Sequence, residues 1–155
     1  MKDSYLKLGI ALAISLVLMF VLTMSMVRTI DHFYFNLSNF YMALIMVAPM
    51  GVVMLVVMWG MFKDKRLNFV LLAGFTALFI ASFWMGRAET FVGDEAFLRS
   101  MIPHHSRAIL VCQESDLSDP EVIELCEQIV EAQQEEITQM EGILERYNVE
   151  AATGQ

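Results

Sequence analysis

The sequence is short of the residues from which most active sites are built. It holds three histidines and two cysteines in 155 residues, and Cys112 and Cys126 stand too far apart to make a Cys-x-x-Cys redox motif. No Gly-rich phosphate loop and no Ser-His-Asp set is recognisable, so nucleotide-dependent and acyl-transfer chemistry have no support. Neither His104 nor His105 has Glu three residues before it, as the Glu-x-x-His motif of a di-iron helical bundle requires. An enzyme is therefore not indicated. Basic residues are missing where nucleic acid would need them, because residues 88–155 hold three Lys/Arg against fifteen Asp/Glu. A cationic partner, a metal among them, fits that charge better.

Charge is absent altogether from three stretches, Leu8–Val27, Phe40–Phe62 and Leu67–Gly86. Each has about the 20 residues that a helix needs to cross hydrocarbon. With 57% hydrophobic residues the composition suits a chain with much of its surface in lipid. The first stretch is too long for a typical signal-peptide core and lacks a clear small-x-small cleavage site, so it reads as a retained span. No ionisable group lies inside any of the three, which leaves a proton relay or ion pathway without support. Lys2 and Lys7 precede the first span, and Lys63, Lys65 and Arg66 crowd the second loop, whereas the first loop offers Arg28 beside Asp31. The positive-inside bias then places the N-terminus and the Lys63 loop in the cytoplasm. Three crossings of the cytoplasmic (inner) membrane put the rest outside, in a periplasmic position. Residues 1–87 thus form an anchor in the lipid bilayer, and residues 88–155 an acidic helical domain.

The second span carries Met42, Met46, Met50, Met54 and Met58 at four-residue intervals, followed by Met61. Soft thioethers select Cu(I), so the stripe admits a copper-guiding reading. Packing is preferred, because Met fills irregular gaps between apolar helices. Pro49 is expected to bend this helix and free a carbonyl.

Beyond Arg87 the pattern predicts two helices, Asp94 to Glu114 and Pro120 to Tyr147. Asp119 is placed to cap the second, Pro120 suits its first position, and Glu121 and Glu124 complement the dipole. A heptad seam runs through Val122, Cys126, Ile129, Gln133, Glu136, Met140, Ile143 and Tyr147, and a matching one through Asp94, Phe97, Met101, His104, Ala108 and Val111. An antiparallel hairpin folded about residue 119 aligns Cys112 with Cys126. It sets His104 and His105 against Gln133 and Gln134, with Met101 within a turn of Glu136 and Met140. Buried polar groups at one level need mutual hydrogen bonds or a ligand, since each unpartnered one costs about 1–3 kcal/mol. Two helices cannot enclose a core by themselves. A third element is expected: a second copy completing a four-helix bundle as a homodimer, or docking of the loop that contains Asp31 and His32.

Met101-Ile102-Pro103-His104-His105, with Ala108 and Ile109 and later Gln133, Glu136, Ile137 and Met140, resembles the family catalogued as domain of unknown function 305, over roughly residues 91–147. The resemblance implies a ferritin-like helical arrangement and, from some relatives, binding of copper or silver outside the cytoplasm. The three-helix anchor, with Phe40, Tyr41, Met42 and Ala43, and the Cys112/Cys126 pair resemble a membrane-bound subgroup. Val111 stands where relatives commonly carry Met, which removes one thioether from the expected set.

The resulting expectation is a membrane-tethered metal-binding protein that takes Cu(I), or another soft or divalent cation, through Met101, His104, His105 and Met140. Metal-handling proteins are its expected partners. Gln133, Glu136 and Asp94 are orienting groups or alternative, harder ligands. His104 and His105 diverge by about 100° around a helix, so at most one points into the seam. Cys112 and Cys126 are read first as a disulfide, which an extracytoplasmic position permits, and otherwise as soft ligands or buried thiols. Glu114, Glu127, Glu131 and Glu135 are read as solvated helix-face charges. The competing class is a metal-free interaction module whose polar layer fixes helix register and oligomeric state.

Overall fold

The structure is a computed structural model and describes residues 2–153. Among these there are five α-helices and no strand: α1 (Lys2–Met24), α2 (Leu37–Val57), α3 (Lys65–Arg87), α4 (Asp94–Glu114) and α5 (Pro120–Thr153). α1, α2 and α3 are each long and apolar enough to cross a membrane. The chain divides into two compact units. One holds the residues up to Thr23 with Ser38–Phe91; the other holds Met24–Leu37 with the described residues from Val92 onward.

In the first unit Leu8, Leu12, Val47, Leu55 and Phe62 form a buried cluster drawn from all but α3, whose Leu71, Leu72 and Phe75 pack against it. Close approach of α2 and α3 depends on a missing side chain, since a Cβ on Gly51 would lie 2.9 Å from the Phe75 ring. Helices that cross a membrane are held together by such packing rather than by hydrophobic burial. The loop before α3 is fastened by polar groups. Asn68, fully buried, donates to the Phe62 carbonyl at 2.9 Å and accepts from the Tyr5 hydroxyl at 2.7 Å. Asp64 caps α3 by accepting the Leu67 amide at 3.0 Å, a cap that the sequence pattern did not single out.

The Met stripe divides. Met50, Met54 and Met58 pack against the buried cluster, while Met42 and Met46 are exposed. Steps of four residues overshoot the turn, so the stripe, exposed at Met42 and Met46, winds onto the packed face from Met50 onward. The second span was expected to run to Phe62; its α-helix ends at Val57 and gives way to a 3₁₀ turn over Trp59–Met61.

In the second unit α4 and α5 pack against each other. α4 contributes buried Leu98, Ile102 and Ile109, and α5 contributes Ile137, Met140 and Leu144, each set at helical spacing. Asp119 accepts the Glu121 amide at 2.9 Å and that of Val122 at 3.4 Å, so α5 starts where the Asp-Pro pair predicts. Cys112 and Cys126 form a disulfide with Cα atoms 5.4 Å apart. Around this end the packing thins: Val111, Val122, Ile123 and Leu125 are exposed. The seam position expected for Val122 is thus exposed within a single chain.

Candidate functional site

The polar residues of the second unit gather at the middle of α4 and α5. His105 is buried on α4, and both of its ring nitrogens are engaged. Nδ1 lies 2.8 Å from the Met101 carbonyl one turn earlier, and Nε2 lies 2.5 Å from Glu136 Oε2 on α5. A carbonyl can only accept, so Nδ1 carries the hydrogen and the ring is held with Nε2 directed at the carboxylate. This is the orientation that a ligating imidazole is given in metal sites, where the other nitrogen donates to a fixed acceptor.

Register does the rest. Met101 precedes His105 by four residues and Met140 follows Glu136 by four, and both Met side chains contact the same apolar cluster. Helical residues four apart share a face. Two i, i+4 pairs therefore face each other, His105 against Glu136 and Met101 level with Met140. The alignment lies one turn further along α5 than expected at this height, so that His105 meets Glu136 instead of Gln133. Gln133 is half-buried.

His104 leaves the set. It is exposed, on the side of α4 with Arg107, Ala108 and Val111, as adjacent residues on a helix must diverge. Asp94 is exposed in the first turn of α4, far along the helix from His105, and complements the helix dipole there. Cys112 and Cys126 are consumed by their disulfide.

A second polar contact beside this one involves residues that the sequence pattern did not connect. The loop from Met24 to Leu37 lies on α4 and α5. Ser106, fully buried, accepts the Arg28 backbone amide at 2.8 Å, and its Oγ is 2.9 Å from His32 Nδ1. His32 Nε2 is 3.6 Å from Glu141, and the Arg28 guanidinium donates to Gln134 Oε1 at 2.6 Å. Ser106, His32 and Glu141 contain the groups of a Ser-His-acid set. The arrangement fastens the loop: the Ser106 oxygen has no exposed surface for a substrate and already accepts an amide. A loop with Asp31 and His32 was one expected way to cover the helices, and the observed fastening uses His32 and Arg28.

Among the described residues no buried side-chain nitrogen or oxygen lacks a hydrogen-bond partner. The polar layer is thus satisfied by mutual bonds. No group of three or more His, Cys, Asp or Glu side chains that could hold a metal ion is found among them. At this level one imidazole meets a carboxylate, and two Met side chains lie in the adjoining apolar cluster; imidazole and thioether are donor types that a soft cation accepts.

Comparison with known proteins agrees with the resemblance read from the sequence. Residues 85–144 match the family described as Domain of unknown function (DUF305). An uncharacterized protein of Acanthamoeba polyphaga mimivirus is 28% identical over 120 residues, covering 76% of this chain and 77% of that protein. That alignment is longer than everything from residue 85 onward, so it takes in part of the anchor as well. No solved structure matches.

Proposed function

We propose that this chain, whose residues 85–144 match DUF305, is a membrane-tethered protein that captures Cu(I), or a related soft cation, outside the cytoplasm. The observation that carries this reading is the His105 ring. Its Nδ1 is anchored to the Met101 carbonyl and its Nε2 is aimed across at α5, with Met101 and Met140 one turn away. Cu(I) held there would take the place of the proton shared between Nε2 and Glu136, which would leave to the carboxylate or to water, and Met101 and Met140 would supply thioether sulfur, a soft donor set. Glu136, half-exposed at its side chain, then swings to water or stays as a charge-balancing neighbour. Positive-inside bias supports the sidedness. The exposed Val111, Val122 and Leu125 around the thinly packed end of α4 and α5 support pairing of two hairpins into a ferritin-like four-helix bundle.

Full-length protein in detergent, titrated with Cu(I) against a colorimetric chelator, tests the site. Ascorbate keeps copper reduced while leaving the disulfide intact. One Cu(I) per chain is expected, with binding lost in His105→Ala and in the Met101→Leu/Met140→Leu double variant and kept in His104→Ala. Wild-type protein that takes up no Cu(I), or a His105→Ala variant that binds as well as wild type, would sink the proposal.

A second reading rests on the fully satisfied polar layer. A layer that needs no ligand can serve as a register lock between α4, α5 and the loop, making the domain an interaction module. In that case the His105→Ala variant changes oligomeric state or stability and the wild type ignores copper.

A further inference from the structure

The connection that leaves α3 is strained. Glu89 and Phe91 have φ of 45° and 64°, the left-handed region that residues with a Cβ rarely adopt. Two side chains of α2 hold this turn in place. The Ser38 hydroxyl donates to Glu89 Oε2 at 2.7 Å, and the Tyr41 hydroxyl donates to the Thr90 carbonyl at 2.6 Å. Strain that is kept by surrounding bonds marks a position where an orientation is being maintained. What is maintained here is the Glu89 carboxylate on the rim of a groove.

The groove has a volume of about 270 Å³ and lies between the Ser38 end of α2 and the Gly86 end of α3. Met42, Ile45 and Phe83 give it an apolar floor, and Arg87 and Glu89 put one positive and one negative group on its rim. Gly86 keeps the two helices close, since a Cβ there would lie 3.0 Å from Tyr41 Cβ. Arg87 has no hydrogen-bond or ion-pair partner among the described residues. Exposed Trp84 stands beside it, a residue type enriched where a span meets the headgroup layer.

The geometry points to this groove as a site for one zwitterionic aminophospholipid, with its phosphate on Arg87, its ammonium on Glu89, and the upper part of an acyl chain over Met42, Ile45 and Phe83. The chemistry selects among headgroups. An anionic headgroup without an amine, such as phosphatidylglycerol, satisfies Arg87 but offers Glu89 only neutral hydroxyl donors in place of a charged ammonium. A choline headgroup has the right charges but no N–H to donate to the carboxylate. A soluble zwitterion would leave the apolar floor, which belongs to the spanning helices, uncovered. The inference rests on α2 and α3 as membrane spans and is independent of any metal.

Native mass spectrometry of the full chain in detergent, delipidated and then given equimolar phosphatidylethanolamine, phosphatidylcholine and phosphatidylglycerol, tests it. Phosphatidylethanolamine should be retained about tenfold over either competitor, the worth of one charge-assisted hydrogen bond. Glu89→Gln should abolish the preference for it, and Arg87→Gln should abolish retention of all three. Ser38→Ala keeps both charges but frees Glu89, and should weaken the preference; it and the wild-type lipid series decide the matter if Arg87→Gln does not fold. Preferred retention of phosphatidylglycerol, equal retention of all three, or a preference that survives in Glu89→Gln would each overturn the assignment.

Discussion

Replacing Ser106 by Ala removes one oxygen and should detach a whole loop. That oxygen is fully buried, accepts the Arg28 amide at 2.8 Å and lies 2.9 Å from His32 Nδ1. Alanine fits the same space, so packing is hardly altered and the change isolates the polar contribution. If the loop stayed in place, the Arg28 amide and the His32 ring nitrogen would both lose their partner, at about 1–3 kcal/mol each and so roughly 2–5 kcal/mol together. Undocking lets both groups reach water and escapes that penalty, at the expense of the Arg28–Gln134 bond and the His32–Glu141 contact. The smaller of the two costs is what the protein shows. We expect a loss of about 2–4 kcal/mol in denaturant unfolding followed by circular dichroism, together with faster amide hydrogen exchange over residues 28–36. A control on α4, Ser100→Ala, whose hydroxyl makes a solvent-exposed bond to the Phe97 carbonyl, should change stability by less than about 0.5 kcal/mol. Unchanged exchange over residues 28–36 with stability equal to that control would refute the fastening.

Three further outcomes follow from the fold. Cys112→Ser with Cys126→Ser removes a cross-link spanning 14 residues, which in the chain-entropy model stabilises by about 3 kcal/mol; unfolding midpoints that match those of oxidised wild type would contradict it. Gly51→Leu forces a side chain into the Phe75 ring and should destabilise the α1–α3 unit by about 1–3 kcal/mol, read as a lowered melting temperature in detergent. Asp119→Ala deprives the Glu121 amide of its acceptor and should cost about 1 kcal/mol, with Asp119→Asn close to neutral as the control, since it retains an acceptor oxygen.

What the sequence made legible was local. Hydrophobic length gave three helices long and apolar enough to cross a membrane, and the Asp119-Pro120 pair gave the start of α5, because each signal is complete within one stretch of chain. Folding back about residue 119 aligned Cys112 with Cys126, and of the three readings that this left, the disulfide is the one found. One turn of slip nevertheless separated the expected height of His105 from the observed one. The Cys112–Cys126 pair keeps the register extrapolated from the turn, whereas at the imidazole Glu136 stands in place of Gln133. The Ser106 fastening was harder still. Its partners Arg28 and His32 lie more than seventy positions away, and nothing in the pattern around a lone serine indicates that its oxygen will be buried. α5 also continues to Thr153, past the expected Tyr147, because residues 148–153 contain neither Gly nor Pro.

The central claim is that α4 and α5 together present His105, Met101 and Met140 to a soft cation. X-ray absorption at the copper edge, on Cu(I)-loaded full-length protein with its disulfide intact, tests that most directly. The account predicts one nitrogen and two sulfur scatterers around copper, with the sulfur contribution lost in Met101→Leu/Met140→Leu and the nitrogen lost in His105→Ala. A copper environment of oxygen and nitrogen alone, or sulfur scattering that persists in the double Leu variant, would contradict it.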